Sequence, residues 1–154
     1  MQKLFSSKDL FINELYECFI WFGFEANSLF VFLYKGTNAI EGIFLNLTKI
    51  KAINLDSRVF TNMSSLRVLK FYIPEGLDMS FEEQHSDSKV QFPDGLDYLP
   101  EKLKYLHLHK YPLRTLPENF KPKNLIELNL PFSKIVQIWE GKKVCCTITK
   151  IFIF

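Results

Sequence analysis

Apolar side chains recur in one figure through the second half of the chain. Leu103-Lys-Tyr-Leu106-His-Leu108 runs on to Tyr111, Leu113 and Leu116. Leu125-Ile-Glu-Leu128-Asn-Leu130 repeats that series and runs on to Ser133, Ile135 and Ile138. Both match L-x-x-L-x-L-x-x-N/C-x-L-x-x-L, the pattern of a leucine-rich repeat, with Tyr111 where Asn or Cys is usual. The pattern predicts a short strand over each x-L-x-L-x segment, with the leucines turned to one side because strand side chains alternate between faces.

The same template picks out Leu66, Leu69, Phe71 and Leu77, and before them Ile40, Ile43, Leu45, Ile50 and Ile53. The units therefore start at Ile40, Leu66, Leu103 and Leu125, and the interval from Leu66 to Leu103 is the longest. That interval contains Pro74 to Gln91, which holds Glu75, Asp78, Glu82, Glu83 and Asp87 against Lys89. This stretch reads as an inserted polar loop at 74–91, solvated and without an assigned role.

Ahead of the repeats the local pattern changes. All seven prolines lie at or after Pro74. Ser6-x-x-Asp9 followed by Leu10, Phe11, Leu15, Phe19 and Phe22 predicts a capped helix from Ser6 to Phe24 with a broad apolar face. The expected organisation is a helical, apolar segment over 1–35, a repeat region over 36–143 and an apolar tail over 144–154. The fold class is an α/β leucine-rich-repeat solenoid with short parallel strands, preceded by that helical segment.

A single unit cannot bury its own leucines, so the core arises by stacking, with strands side by side about 4.8 Å apart. The residues around the leucines then form one solvent-facing array on the concave side. The candidates are Arg67, Lys70 and Tyr72; Lys104, His107, His109 and Lys110; and Glu127, Asn129 and Phe132. Mixed basic, aromatic and polar groups suit recognition of a protein surface.

Composition narrows the class of partner. A formal net charge of +2 supplies no concentrated basic patch, so nucleic acid and membrane surfaces are disfavoured. Glu14, Glu17 and Glu25 interrupt the apolar run from Leu10 to Tyr34, which argues against a spanning helix, and Met1-Gln2-Lys3 does not open a signal peptide. The three cysteines, Cys18, Cys145 and Cys146, fit neither a disulfide framework nor a metal spacing, and suggest a reduced, intracellular setting. Asn46-Leu-Thr48 and Asn62-Met-Ser64 match the glycosylation pattern, which matters only in a secreted chain.

Catalytic patterns are missing. His107 and His109 share a strand face and would need a third group such as His85 to hold a metal, but no carboxylate or Cys stands at useful spacing. Gly141-Lys142 is followed by Lys143 and lacks the earlier glycine of a phosphate loop. Glu82 and Glu83 are adjacent and read as a hydrated pair. No cofactor, metal or catalytic residue is assigned, and the expectation is a non-enzymatic chain.

From Gly36 to Lys143 the sequence resembles plant TIR-NBS-LRR disease-resistance proteins. The motifs are Gly36-Thr-Asn-Ala-Ile-Glu-Gly-Ile-Phe-Leu45, Phe60-Thr-Asn-Met-Ser-Ser-Leu-Arg-Val-Leu-Lys-Phe71, Tyr111-Pro-Leu-Arg-Thr-Leu-Pro117, Phe120-Lys-Pro-Lys-Asn-Leu125 and Ser133-Lys-Ile-Val-Gln-Ile-Trp-Glu-Gly141. The resemblance implies the linker and first repeats of a cytoplasmic immune receptor, an interaction module in defence signalling. Its partners would be a pathogen effector, a host protein or other receptor domains. Neither the TIR nor the nucleotide-binding motifs are present, so no ADP site or NAD cleavage carries over. Both ends look foreign to the family, as translated intron or a truncated product would, and the alternative expectation is a remnant without independent function.

Overall fold

A computed structural model describes residues 19–22, 38–76, 86–138 and 150–153. Its strands follow the leucine figure. They are β1 (Phe19–Phe22), β2 (Gly42–Asn46), β3 (Ile53–Asn54), β4 (Val68–Tyr72), β5 (Val90–Gln91), β6 (Tyr105–Leu108), β7 (Glu127–Asn129) and β8 (Lys150–Phe152). Six form one parallel sheet in the order β1-β2-β4-β6-β7-β8, and β3 and β5 pair separately. The register keeps each repeat level with the next: Ile43, Leu69, Leu106 and Leu128 lie opposite one another in turn.

Each of these four residues is fully buried, as are Leu66, Leu103 and Leu125. Alternation along the strand therefore turns the leucines into a shared interior and leaves Lys70, His107 and Asn129 on the other face. One backbone device recurs where each strand begins. The carbonyl of Glu41 accepts from Arg67 and Val68, that of Arg67 from Lys104 and Tyr105, and that of Lys104 from Ile126 and Glu127, at 2.7–3.1 Å.

The return limbs are turns rather than α-helices among the described residues. Before the first leucine of a repeat a tight turn closes: Leu66, Leu103 and Leu125 donate to the carbonyls of Met63, Pro100 and Pro122. Phe60, Met63, Leu99 and Phe120 fill the interior beneath these turns. Farther along, short extended pieces pair: Ile53 with Val90 and Thr115 with Gln137. Ile53 follows Ile40, Thr115 follows Leu103 and Gln137 follows Leu125 at nearly equal distances along the chain, whereas Val90 lies much farther beyond Leu66. The long second repeat thus rejoins the common plan at Val90, and its extra length lies between Tyr72 and that residue.

The expected helix from Ser6 to Phe24 requires a correction. Phe19–Phe22 is a strand, paired in parallel with Gly42–Leu45 of β2. Its sequence, Phe-Ile-Trp-Phe, is aromatic and β-branched, and the open edge of β2 offers backbone partners that a helix would leave unpaired. The rest of that expected helix, Cys18, Glu82, Glu83, His85, Cys145 and Cys146 lie outside the described residues. Among the described residues, no helix is long and apolar enough to cross a membrane.

Both glycosylation-like triplets have local structural uses. The Asn46 carboxamide oxygen accepts from the Thr48 backbone (3.0 Å) and hydroxyl (2.7 Å), capping the 3₁₀ turn Leu47–Lys49. In the second triplet Met63 is core, and the Ser64 hydroxyl donates to Asn38 at 2.8 Å.

Candidate functional site

The open face of the sheet carries rows that run across the strands. One is Phe19, Gly42, Val68, Tyr105, Glu127 and Lys150; the next is Trp21, Phe44, Lys70, His107, Asn129 and Phe152. Tyr72 ends β4, and His109 follows β6, its backbone N–H donating to the Phe71 carbonyl at 3.0 Å. Of the sequence-derived candidates, Lys70, Tyr72, His107, His109, Glu127 and Asn129 are therefore brought together. The Lys70 ammonium stands 5.2 Å from the centre of the Tyr72 ring, within cation–π range.

Phe132 joins them from a turn. It has φ 55°, a left-handed conformation uncommon for a bulky residue, and its ring lies 5.2 Å from that of His109. At 55% relative exposure it is also a large apolar surface available to a partner. Lys110, at the same position of the preceding repeat, has φ 56° but a different fate. It is buried, and its ammonium donates to the Ser86 carbonyl (3.2 Å) and bonds the Ser86 hydroxyl (3.0 Å). Lys110 thus secures the end of the inserted stretch instead of facing a partner.

Arg67 and Lys104 immediately precede β4 and β6, and both are exposed. Their parity matches the leucines, so they line the leading edge of the sheet rather than its open face. The Arg67 Nε lies 3.9 Å from a carboxylate oxygen of the partly buried Glu41. Tyr105, 43% exposed, occupies the face position that adjoins Lys104 in sequence. It stands one residue from Leu106, as Val68 does from Leu69 and Phe44 from Ile43, so all three fall on the face opposite the buried leucine positions.

Electrostatics make the centre of the face neutral where the sequence suggests titratable groups. Burial, then the charge of Lys70, then His109, pushes the His107 pKa down to about 4. Burial and the charge of Lys110 push His109 down to about 4. Their Nε2 atoms are buried and have no hydrogen-bond partner among the described residues. Unpaired buried polar atoms are costly, and protonating them beside lysines would cost more. Beneath the face, the Tyr111 hydroxyl donates to the Thr115 carbonyl at 3.0 Å, and burial pushes its pKa up. This bond satisfies the phenol that stands where the repeat usually has Asn. Among the described residues, no group of three His, Cys, Asp or Glu is placed to hold a metal ion.

A stack of parallel strands with inward leucines is the arrangement of a leucine-rich-repeat fold, and the family model described as Leucine Rich Repeat matches residues 124–143. The region is homologous to plant disease-resistance proteins. It is similar to the disease resistance protein RPP2A of Arabidopsis thaliana, 44% identical over 109 residues that cover 71% of this chain and 8% of the relative. Disease resistance-like protein DSC1 is 40% identical over 111 residues, 70% of this chain and 8% of the relative, and RPS4 is 40% identical over 105 residues, 68% and 8%. Both are from the same plant. The chain spans 8% of the length of these relatives. No solved structure matches it.

Proposed function

We propose that the chain is a non-catalytic protein-interaction module of a plant immune receptor, acting in the cytoplasm and using the open face of its sheet for recognition. The observation that carries this is the level register of β4, β6 and β7, which holds Lys70, His107 and Asn129 in one row beside exposed Tyr105 and Phe132. Interfaces concentrate affinity in rigidly held aromatic side chains, and this face supplies Tyr105 and Phe132. The homology to disease-resistance proteins supports the setting. Partners of the whole receptor would be effectors, host proteins or its own other domains; no nucleic acid, cofactor or membrane contact is assigned.

The test is calorimetry with a protein partner recovered by proximity labelling in plant tissue. Combined alanine changes at His107, Asn129 and Phe132 should weaken that partner at least about tenfold without altering cooperative unfolding. Changes at Val136 and Gln137, on the return side, should leave binding intact. The reverse pattern would sink the assignment of the face. ADP should show no binding heat, since no phosphate loop exists in the sequence.

A further inference from the structure

The tail repeats the leucine figure. Ile148-Thr-Lys-Ile151-Phe-Ile153 has the spacing of Leu125-Ile-Glu-Leu128-Asn-Leu130, one repeat later. The backbone agrees with the pattern. Lys150, Ile151 and Phe152 pair in register with Glu127, Leu128 and Asn129, and the Lys150 N–H donates to the Ile126 carbonyl, as Val68, Tyr105 and Glu127 do to Glu41, Arg67 and Lys104. Ile151 lies at the position of Leu128 but remains 50% exposed, because no strand follows β8 in the sheet among the described residues.

Lys150 and Phe152 consequently fall at outward positions. Lys150 extends the row of Tyr105 and Glu127, and Phe152, 39% exposed, extends the row of Lys70, His107 and Asn129. That second row then has a polar centre flanked by Phe44, beyond which Trp21 continues the row, and by Phe152. Phe44 and Phe152 are four strand spacings apart, about 19 Å, the rise of about thirteen helical residues. Lys70 and Lys150 add positive charge to the face against the single carboxylate of Glu127 in these rows.

We infer that Lys150–Phe152 is the strand of a fifth repeat, and that Lys150 and Phe152 belong to a recognition face that takes an acidic protein segment with an apolar anchor at each end. This rests on the reading of the open face as the binding surface. Apolar anchors seat against Phe44 and Phe152, and carboxylates between them meet Lys70 and Lys150.

The probe is a helical synthetic peptide with two leucines about thirteen residues apart and glutamates between them, titrated by fluorescence anisotropy against the full chain. A version with lysines for glutamates and one with the leucines brought a turn apart are the controls. The glutamate peptide should bind at least about tenfold more tightly than either control, with Phe152→Ala, Lys150→Glu and His107→Ala each weakening it by a similar factor. Circular dichroism checks that each variant keeps its sheet. If His107→Ala weakens the probe while Phe152→Ala and Lys150→Glu do not, the tail lies outside the face and the recognition face itself stands. If the lysine peptide binds equally well, or no peptide binds, the acidic partner is wrong. If all three variants bind the glutamate peptide as the parent does, the open-face reading fails as well.

Discussion

The third and fourth repeats carry the same figure, and their strands are buried alike: Leu103, Leu106 and Leu108 in one, Leu125, Leu128 and Leu130 in the other. Their return limbs differ. Tyr111 and Leu116 are each only 2% exposed, whereas the equivalent Ser133 and Ile138 are half-buried. The left-handed residues diverge in the same sense, with Lys110 buried and Phe132 exposed. The third repeat is followed by the fourth, whose Val136 and Gln137 backbone groups donate to Arg114, and it is also covered by Ser86 from the inserted stretch. Burial in such a stack is thus set by the next repeat as much as by a residue's own place in the pattern.

Substitutions can break this comparison. The largest expected effect is Leu116→Ala, which removes a return-limb side chain only 2% exposed and should cost about 2–5 kcal/mol in urea unfolding. Ile138→Ala, at a half-covered position, should cost about 1 kcal/mol; equal losses would mean that the fourth repeat is as well covered as the third. Tyr111→Phe keeps the ring and removes the bond to Thr115, with an expected loss of about 1 kcal/mol.

A pH series sharpens the same contrast on the open face. Folding lowers the pKa of His107 and His109 from 6.5 to about 4, so below pH 6.5 the unfolded chain binds more protons. Stability should be fully present above about pH 6.5 and fall as pH drops toward about 4. Replacing both histidines with Gln should flatten that slope in thermal melts. An unchanged slope would show that carboxylates alone produce it. The smallest effect belongs to Lys134→Ala. Its 2.9 Å bond to Asp87 holds that carboxyl below the usual range, but both groups are exposed, so unfolding should shift within error.

Much of this was legible because leucine spacing reports strand parity directly. The cores of the third and fourth repeats and the outward positions of Lys70, His107 and Asn129 follow from alternation alone. Lys110 was not legible. Its partner, Ser86, belongs to an insertion whose path no local pattern encodes. Arg67 and Lys104 were misplaced by one parity step, and Tyr105 was overlooked as a result. Phe19–Phe22 reads as helix in isolation because its apolar residues also satisfy helical spacing; pairing with β2 is a long-range term that overrides it. In the tail, apolar and β-prone residues obscured a figure that becomes plain once Lys150 is seen opposite Glu127.

The most direct test of recognition through the open face is hydrogen-exchange mass spectrometry of the full chain with and without the protein partner recovered from plant tissue. Peptides covering β4, β6 and β7, with the turn at Phe132, should gain protection on binding, while those covering the return-side bridge between Thr115 and Gln137 should not change. Protection confined to that bridge, with β4, β6 and β7 exchanging as in the free chain, would contradict the account.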